Sequence, residues 1–240
     1  MMRRRLYMVA GLLVLMAVMG VSRAVTAAEK GFFKGIDRFY GDTSGEHLFM
    51  EGANLEYSQG ETYLRFKAAE IRELSDGSRE IIFRQEVFLT HEDLKVTGDQ
   101  FRYNTAEESG IFSGDVVLVR EESRDDQGEV LKEEIRLVCG NLYLETKAKA
   151  FTATEEPRIE HADFTGSGET ISYRDDEEKL TISGGFHLKM EEDELFGEEV
   201  SFDLKQKTFE ARRGTKPLEV WIEIEEKTET PQEDAGPDGP

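Results

Sequence analysis

An all-β fold is predicted, on three observations. One hairpin-sized pattern recurs along the chain. Strand-like alternation of apolar and polar residues runs through most of it, and no 3.6-residue periodicity persists after the first 27 residues for more than about two turns. The pattern is plainest in GETISYRDDEEKLTISG, from Gly168, and GEEVSFDLKQKTFEARRG, from Gly197. Each copy opens on Gly, with apolar residues three and five positions on (Ile171 and Tyr173; Val200 and Phe202). A polar turn follows, and an apolar residue returns twelve positions after the Gly (Leu180; Phe209). The same grammar occurs at Gly52 with Leu55, Tyr57 and Leu64. It is looser at Gly98 and at Gly140. The repeating unit is an antiparallel β-hairpin, and glycine at each opener fits a sharp bend or close backbone approach.

The elements follow in order. Arg3-Arg4-Arg5 and the apolar run Leu6 to Val21, with small residues before Ala28, predict a secretory signal over 1–27. An uncleaved N-terminal anchor is the alternative, although the run is short for a span, which needs about 20 apolar residues. Residues 28–46, with Phe32-Phe33 and Phe39-Tyr40, form a lead-in arm. A β domain occupies 47–226. Within it, Glu80 to Thr90 is one long strand bent near Gln85-Glu86. Ile111 to Arg120 is another, with Gly114 placed for a bulge. Glu121 to Glu134 is an acidic insertion, a solvated hairpin loop, and Gly184-Gly185 marks a kink. In Leu218 to Glu225, strict alternation predicts a last strand with Leu218, Val220, Ile222 and Ile224 on a buried face. Residues 227–240, Pro-rich and acidic, are an expected disordered tail.

Composition narrows function. The 240 residues carry 51 acidic against 30 basic groups, a formal net charge of -21, with 38% hydrophobic and 10% aromatic content. That apolar content calls for a folded core under an acidic surface. The charge excludes nucleic acid, whose phosphates need a basic face. Cys139, the single cysteine, forms no intramolecular disulfide and reads as a small buried strand residue. His47, His91, His161 and His187 are scattered without ligand spacing, and neighbours in His91-Glu92-Asp93 point to opposite faces of a strand. Neither a nucleophile elbow nor a phosphate loop occurs. No cofactor, no metal and no enzyme activity are expected.

Abundant inward-facing apolar residues remain. Phe101, Tyr103, Phe112, Val116 and Leu118 come from the earlier repeats, and Leu142 and Leu144 from the middle one. Ile171, Tyr173, Leu180, Ile182, Phe186, Leu188, Val200, Phe202 and Phe209 come from the later ones. Such residues fill a core; two sheets that splay apart would turn them into a groove for acyl chains. An open barrel-like jelly roll and a sandwich both satisfy the pattern.

VTGDQFRYNTAEESGIFSGDVVLVR (Val96 to Arg120) and GSGETISYRDDEEKLTISGGFHLKM (Gly166 to Met190) resemble the OstA-type domain of periplasmic lipopolysaccharide-transport proteins, the LptA and LptC group. The resemblance covers roughly Gly52 to Ile224. It implies an elongated β-jelly roll of repeated antiparallel hairpins, working in the periplasm as a lipid carrier. Lipid A acyl chains would lie in a hydrophobic groove formed by the inward residues named above. The implied partners are lipopolysaccharide, an inner-membrane ABC transporter complex, outer-membrane translocon components, and further copies joined head to tail through edge strands. Leu55 and Tyr57 at one end, and Val220, Trp221 and Ile222 at the other, are the expected edge-strand interface. A soluble LptA-like bridge is the first reading. A membrane-anchored LptC-like receiver, or a structural β-module that assembles without carrying lipid, is the alternative.

Overall fold

The computed structural model describes residues 32–59, 61–146 and 148–222. The expected signal and the acidic tail lie outside them. The described chain is built of strands, beginning with β1 (Phe32–Lys34), β2 (Arg38–Gly41), β3 (His47–Gln59), β4 (Thr62–Glu73), β5 (Arg79–His91) and β6 (Leu94–Asn104). Then come β7 (Ser109–Arg120), β8 (Ser123–Arg124), β9 (Val130–Lys132), β10 (Ile135–Glu145), β11 (Ala150–Thr154) and β12 (Arg158–His161). The last are β13 (Thr165–Ser167), β14 (Thr170–Arg174), β15 (Lys179–Met190), β16 (Asp193–Asp203), β17 (Thr208–Arg212) and β18 (Glu219–Trp221). Every pairing is antiparallel; the small β8–β9 hairpin in the acidic insertion stands apart, the other strands form one sheet, and pairs such as β1–β3, β7–β10, β11–β14 and β16–β18 skip intervening strands.

One line of bends organises this sheet. Register slips between Glu51 and Leu55, Arg65 and Ala68, Arg84 and Val87, and Thr97 and Gln100. It slips again between Cys139 and Asn141 and between Ser183 and Phe186. These breaks are neighbours across the sheet: Glu51 pairs with Ala68, Ala68 with Arg84, Arg84 with Gln100, Gln100 with Ser113 and Ser113 with Asn141. Unpaired residues in a ladder bend a strand, so one row of them folds the sheet along a crease. Gln85 and Glu86 take φ of 66° and 55°, and Gly114 and Gly184 take 81° and 79°, at the positions where the sequence predicts bends. All five opening glycines lie on the crease. Beyond the paired strands the same line continues as outright breaks, between β11 and β12, β13 and β14, and β17 and β18.

The crease divides the sheet in two. The first half-sheet runs β1-β3-β4-β5-β6-β7-β10-β12-β13-β15-β16-β18, and the second β2-β3-β4-β5-β6-β7-β10-β11-β14-β15-β16-β17. Long strands such as β5 bury apolar residues in both halves (Ile81 and Phe83; Val87 and Leu89) and expose the bend between them. The buried residues of both halves form one contiguous core. This is an elongated β-jelly roll.

Three expectations change here. The stretch from Phe32 to Gly41 is not a free arm: β1 and β2 pair with β3 and form the first rung. Consequently Leu55 and Tyr57 do not mark an open edge. Their strand is paired on both sides and they are 0% and 5% exposed. Nor does the last strand bury a face. Val220 and Ile222 are 59% and 65% exposed, and among the described residues no further strand covers the final rung.

Candidate functional site

Period-2 alternation aims the same set of side chains inward from every strand. On the second half-sheet Phe101, Tyr103, Phe112, Leu142, Leu144, Ile171, Tyr173, Leu180, Ile182 and Phe202 are all buried. Val116, Leu118, Phe186 and Leu188 are buried on the first. Phe209 alone of the inward candidates is exposed, on the end strand β17. The interior also takes Leu64, Phe66, Val96, Leu137 and Ile159. Aromatic contacts knit the halves: Phe66 meets Phe83 edge-on at 4.9 Å, and Phe164 stacks on Phe202 at 4.1 Å. Between its ends the interior is packed. An open cavity of about 370 Å³ lies against β16 and β17, among Glu199, Ser201, Phe209 and Arg212.

Away from the crease the hairpin turns form two lips, and polar contacts join them. Lys149 donates to Glu92 at 3.2 Å and Lys132 to Asp175 at 2.9 Å. Lys207 donates to Glu133 at 2.6 Å. Arg120 donates to the Tyr173 hydroxyl at 2.7 Å and to the Glu133 carbonyl at 3.1 Å; that hydroxyl donates onward to Asp175 at 3.0 Å. The acidic insertion thus supplies Lys132 and Glu133 as part of the closure. Lys207 holds the Glu133 carboxyl below its usual range. Burial works to raise Asp175, but hydrogen bonds from Lys132 and Tyr173 outweigh it and the net shift is down.

Glu133, His161 and Asp163 place ligand atoms within 4.8 Å of one another, the one such group among the described residues. Their geometry is that of an ion-pair cluster. Lys207 already occupies Glu133, the Asp163 N–H donates to His161 Nδ1 at 3.2 Å, and burial lowers the His161 pKa. Glu92 is engaged by Lys149 and His91 bonds to Thr62 at 2.9 Å.

The ends differ from the middle. Phe39 pairs with buried Met50, Phe209 with buried Phe202 and Val220 with buried Leu195, so all three carry on the inner face. Yet they are 52%, 47% and 59% exposed. Phe32, Tyr40 and Trp221 add outer-face apolar surface at the same rungs. Of the expected interface, Val220, Trp221 and Ile222 sit at an open end, while Leu55 and Tyr57 do not. The alternation Val116, Leu118, Arg120 already aimed Arg120 inward. Its charge hid it from a search for apolar positions.

The described residues thus form a jelly roll with a continuous apolar interior and terminal rungs that leave apolar side chains exposed. Residues 95–208 match the family described as LptA/(LptD N-terminal domain) LPS transport protein. These residues form an LptA-like lipopolysaccharide-transport domain, and the strands outside the matched stretch continue the same repeat. No curated protein matches it. Among solved structures it is similar to LptH, described as the LptA homologous periplasmic component of the conserved lipopolysaccharide transport device from Pseudomonas aeruginosa. That likeness is 12% identical, covers 82% of this chain and 96% of that one, and has a TM-score of 0.25, too low for whole-body superposition.

Proposed function

We propose that this chain is a periplasmic carrier that bridges lipopolysaccharide from the inner to the outer membrane. Acyl chains lie between its half-sheets, and copies join end to end through the β1–β2 and β17–β18 rungs. One observation carries the reading: inner-face residues Phe39, Phe209 and Val220 are left exposed where the rows stop. A terminal strand with unpaired backbone groups and an apolar face is a template for strand addition. Stacking a second jelly roll there would extend the interior without a break. The working partners are then the inner-membrane ABC transporter complex and the outer-membrane translocon.

The packed middle favours a second reading, a structural module that assembles through its ends and carries no lipid. Native mass spectrometry on protein purified from lipopolysaccharide-producing cells separates the two. A co-purifying mass of lipopolysaccharide or lipid A supports the carrier. A clean apo mass that also takes up no added lipopolysaccharide leaves assembly as the function.

A further inference from the structure

Arg120 ends β7 in register with Val116 and Leu118 and is only 7% exposed. No carboxylate lies within ion-pair distance of it among the described residues. Its two terminal nitrogens donate to uncharged oxygens, Tyr173 Oη and the Glu133 carbonyl, and its Nε is buried without a partner. A neutral side chain could make both of those bonds. Its charge meets the Tyr173 ring face at 5.2 Å but no counter-charge, and a buried charge without a counter-charge is costly. Around it stand Lys132 and Lys207, each held by one carboxylate, Asp175 and Glu133. His161, exposed Asp163 and Glu178 complete the ionisable groups facing this set.

We propose that Arg120 anchors a phosphate-binding site at the mouth of the jelly roll. There it holds the phosphate of an acylated ligand whose chains occupy the interior; this rests on the carrier reading above. The guanidinium fork matches two phosphate oxygens and retains its charge at any working pH. Asp175 and Glu133 stand where phosphate oxygens would otherwise meet Lys132 and Lys207. Exchanging those carboxylates for the ligand's phosphate both binds the head group and releases the lip contacts that cover the interior. In a chain of net charge -21 this provides a local cationic seat for an anionic lipid.

The test uses the purified chain with three probes: diphosphoryl lipid A, the same lipid with both phosphates removed, and inorganic phosphate. Wild type is expected to bind diphosphoryl lipid A at least tenfold more tightly than the dephosphorylated lipid. Arg120→Gln should bring diphosphoryl lipid A to the affinity of the dephosphorylated form, with Arg120→Lys between. Circular dichroism checks folding, and Lys132→Met, on a more exposed side chain, is measured in parallel and should lower the ratio if Arg120→Gln does not fold. Equal wild-type affinity for the two lipids, or a ratio unchanged in the folded variants, overturns the anchor and leaves the carrier reading standing. Failure to bind either lipid overturns both. Inorganic phosphate that displaces lipid A at equimolar concentration would assign the site to free phosphate instead and overturn the lipid anchor.

Discussion

The Tyr173 hydroxyl accepts from Arg120 at 2.7 Å and donates to Asp175 at 3.0 Å, joining lips whose residues lie 53 positions apart in sequence. Tyr173→Phe leaves one buried guanidinium nitrogen without its acceptor. An unsatisfied buried polar group costs about 1–3 kcal/mol, and denaturant unfolding of the variant should show a loss of that order with its strand content intact.

Glu70 is 5% exposed and accepts from His47 at 2.7 Å, Arg72 at 2.6 Å and Arg84 at 2.9 Å. Burial works to raise its pKa, but the hydrogen bonds and cations win and the net shift is down. A carboxyl lowered on folding stabilises the native state above its unfolded pKa of about 4.3, and the contribution fades as pH falls through the lower native value. Thermal melts should show stability dropping below that range, and Glu70→Gln should flatten this part of the profile.

Cys139 is 5% exposed on the crease, and burial, with a smaller contribution from Glu155, pushes its thiol up to about 11. The thiolate is the reactive form. At pH 8 a thiol-reactive chromophore should label the native protein far more slowly than the protein in guanidinium chloride, where labelling is complete.

A methyl group at Gly168 would sit 2.7 Å from Ile182 Cγ2 and 2.9 Å from the Ser183 carbonyl oxygen. The backbone oxygen has little room to give. Overpacking costs about 1–3 kcal/mol, so Gly168→Ala should lower the melting temperature. Gly77→Ala serves as contrast: nothing lies within 4 Å there, and its φ of +82° supplies the strain alone.

Val220 is 59% exposed on the inner face of the last rung. If copies join through this end, Val220→Lys should shift concentration-dependent oligomers towards monomer in sedimentation velocity without changing the melt. An unchanged distribution would remove the β18 rung from the interface.

Local residue types announced much of the crease. Gln85-Glu86, Gly114 and Gly184-Gly185 were readable because a bend needs left-handed or unpaired backbone, and such positions interrupt an alternating run. The break between Arg65 and Ala68 carries no such mark; it bends because its neighbours do. The open end at Val220 was misread for a related reason. Alternation tells which way a side chain points from its own sheet, and it places Val220 on the inner face, but among the described residues no further rung covers it.

By itself the sequence determined the all-β class, the hairpin repeat, the inward set from Phe101 to Phe202 and the likeness to lipopolysaccharide-transport domains, since each depends on contacts within one strand or between adjacent ones. Only the tertiary structure decided that Phe32 to Gly41 caps the sheet, that the interior is closed in the middle and uncovered at the ends, and that Arg120 meets Tyr173. Those facts depend on which lip lies opposite which. That is fixed by the sum of bends along the whole crease, and no single stretch of residues encodes it.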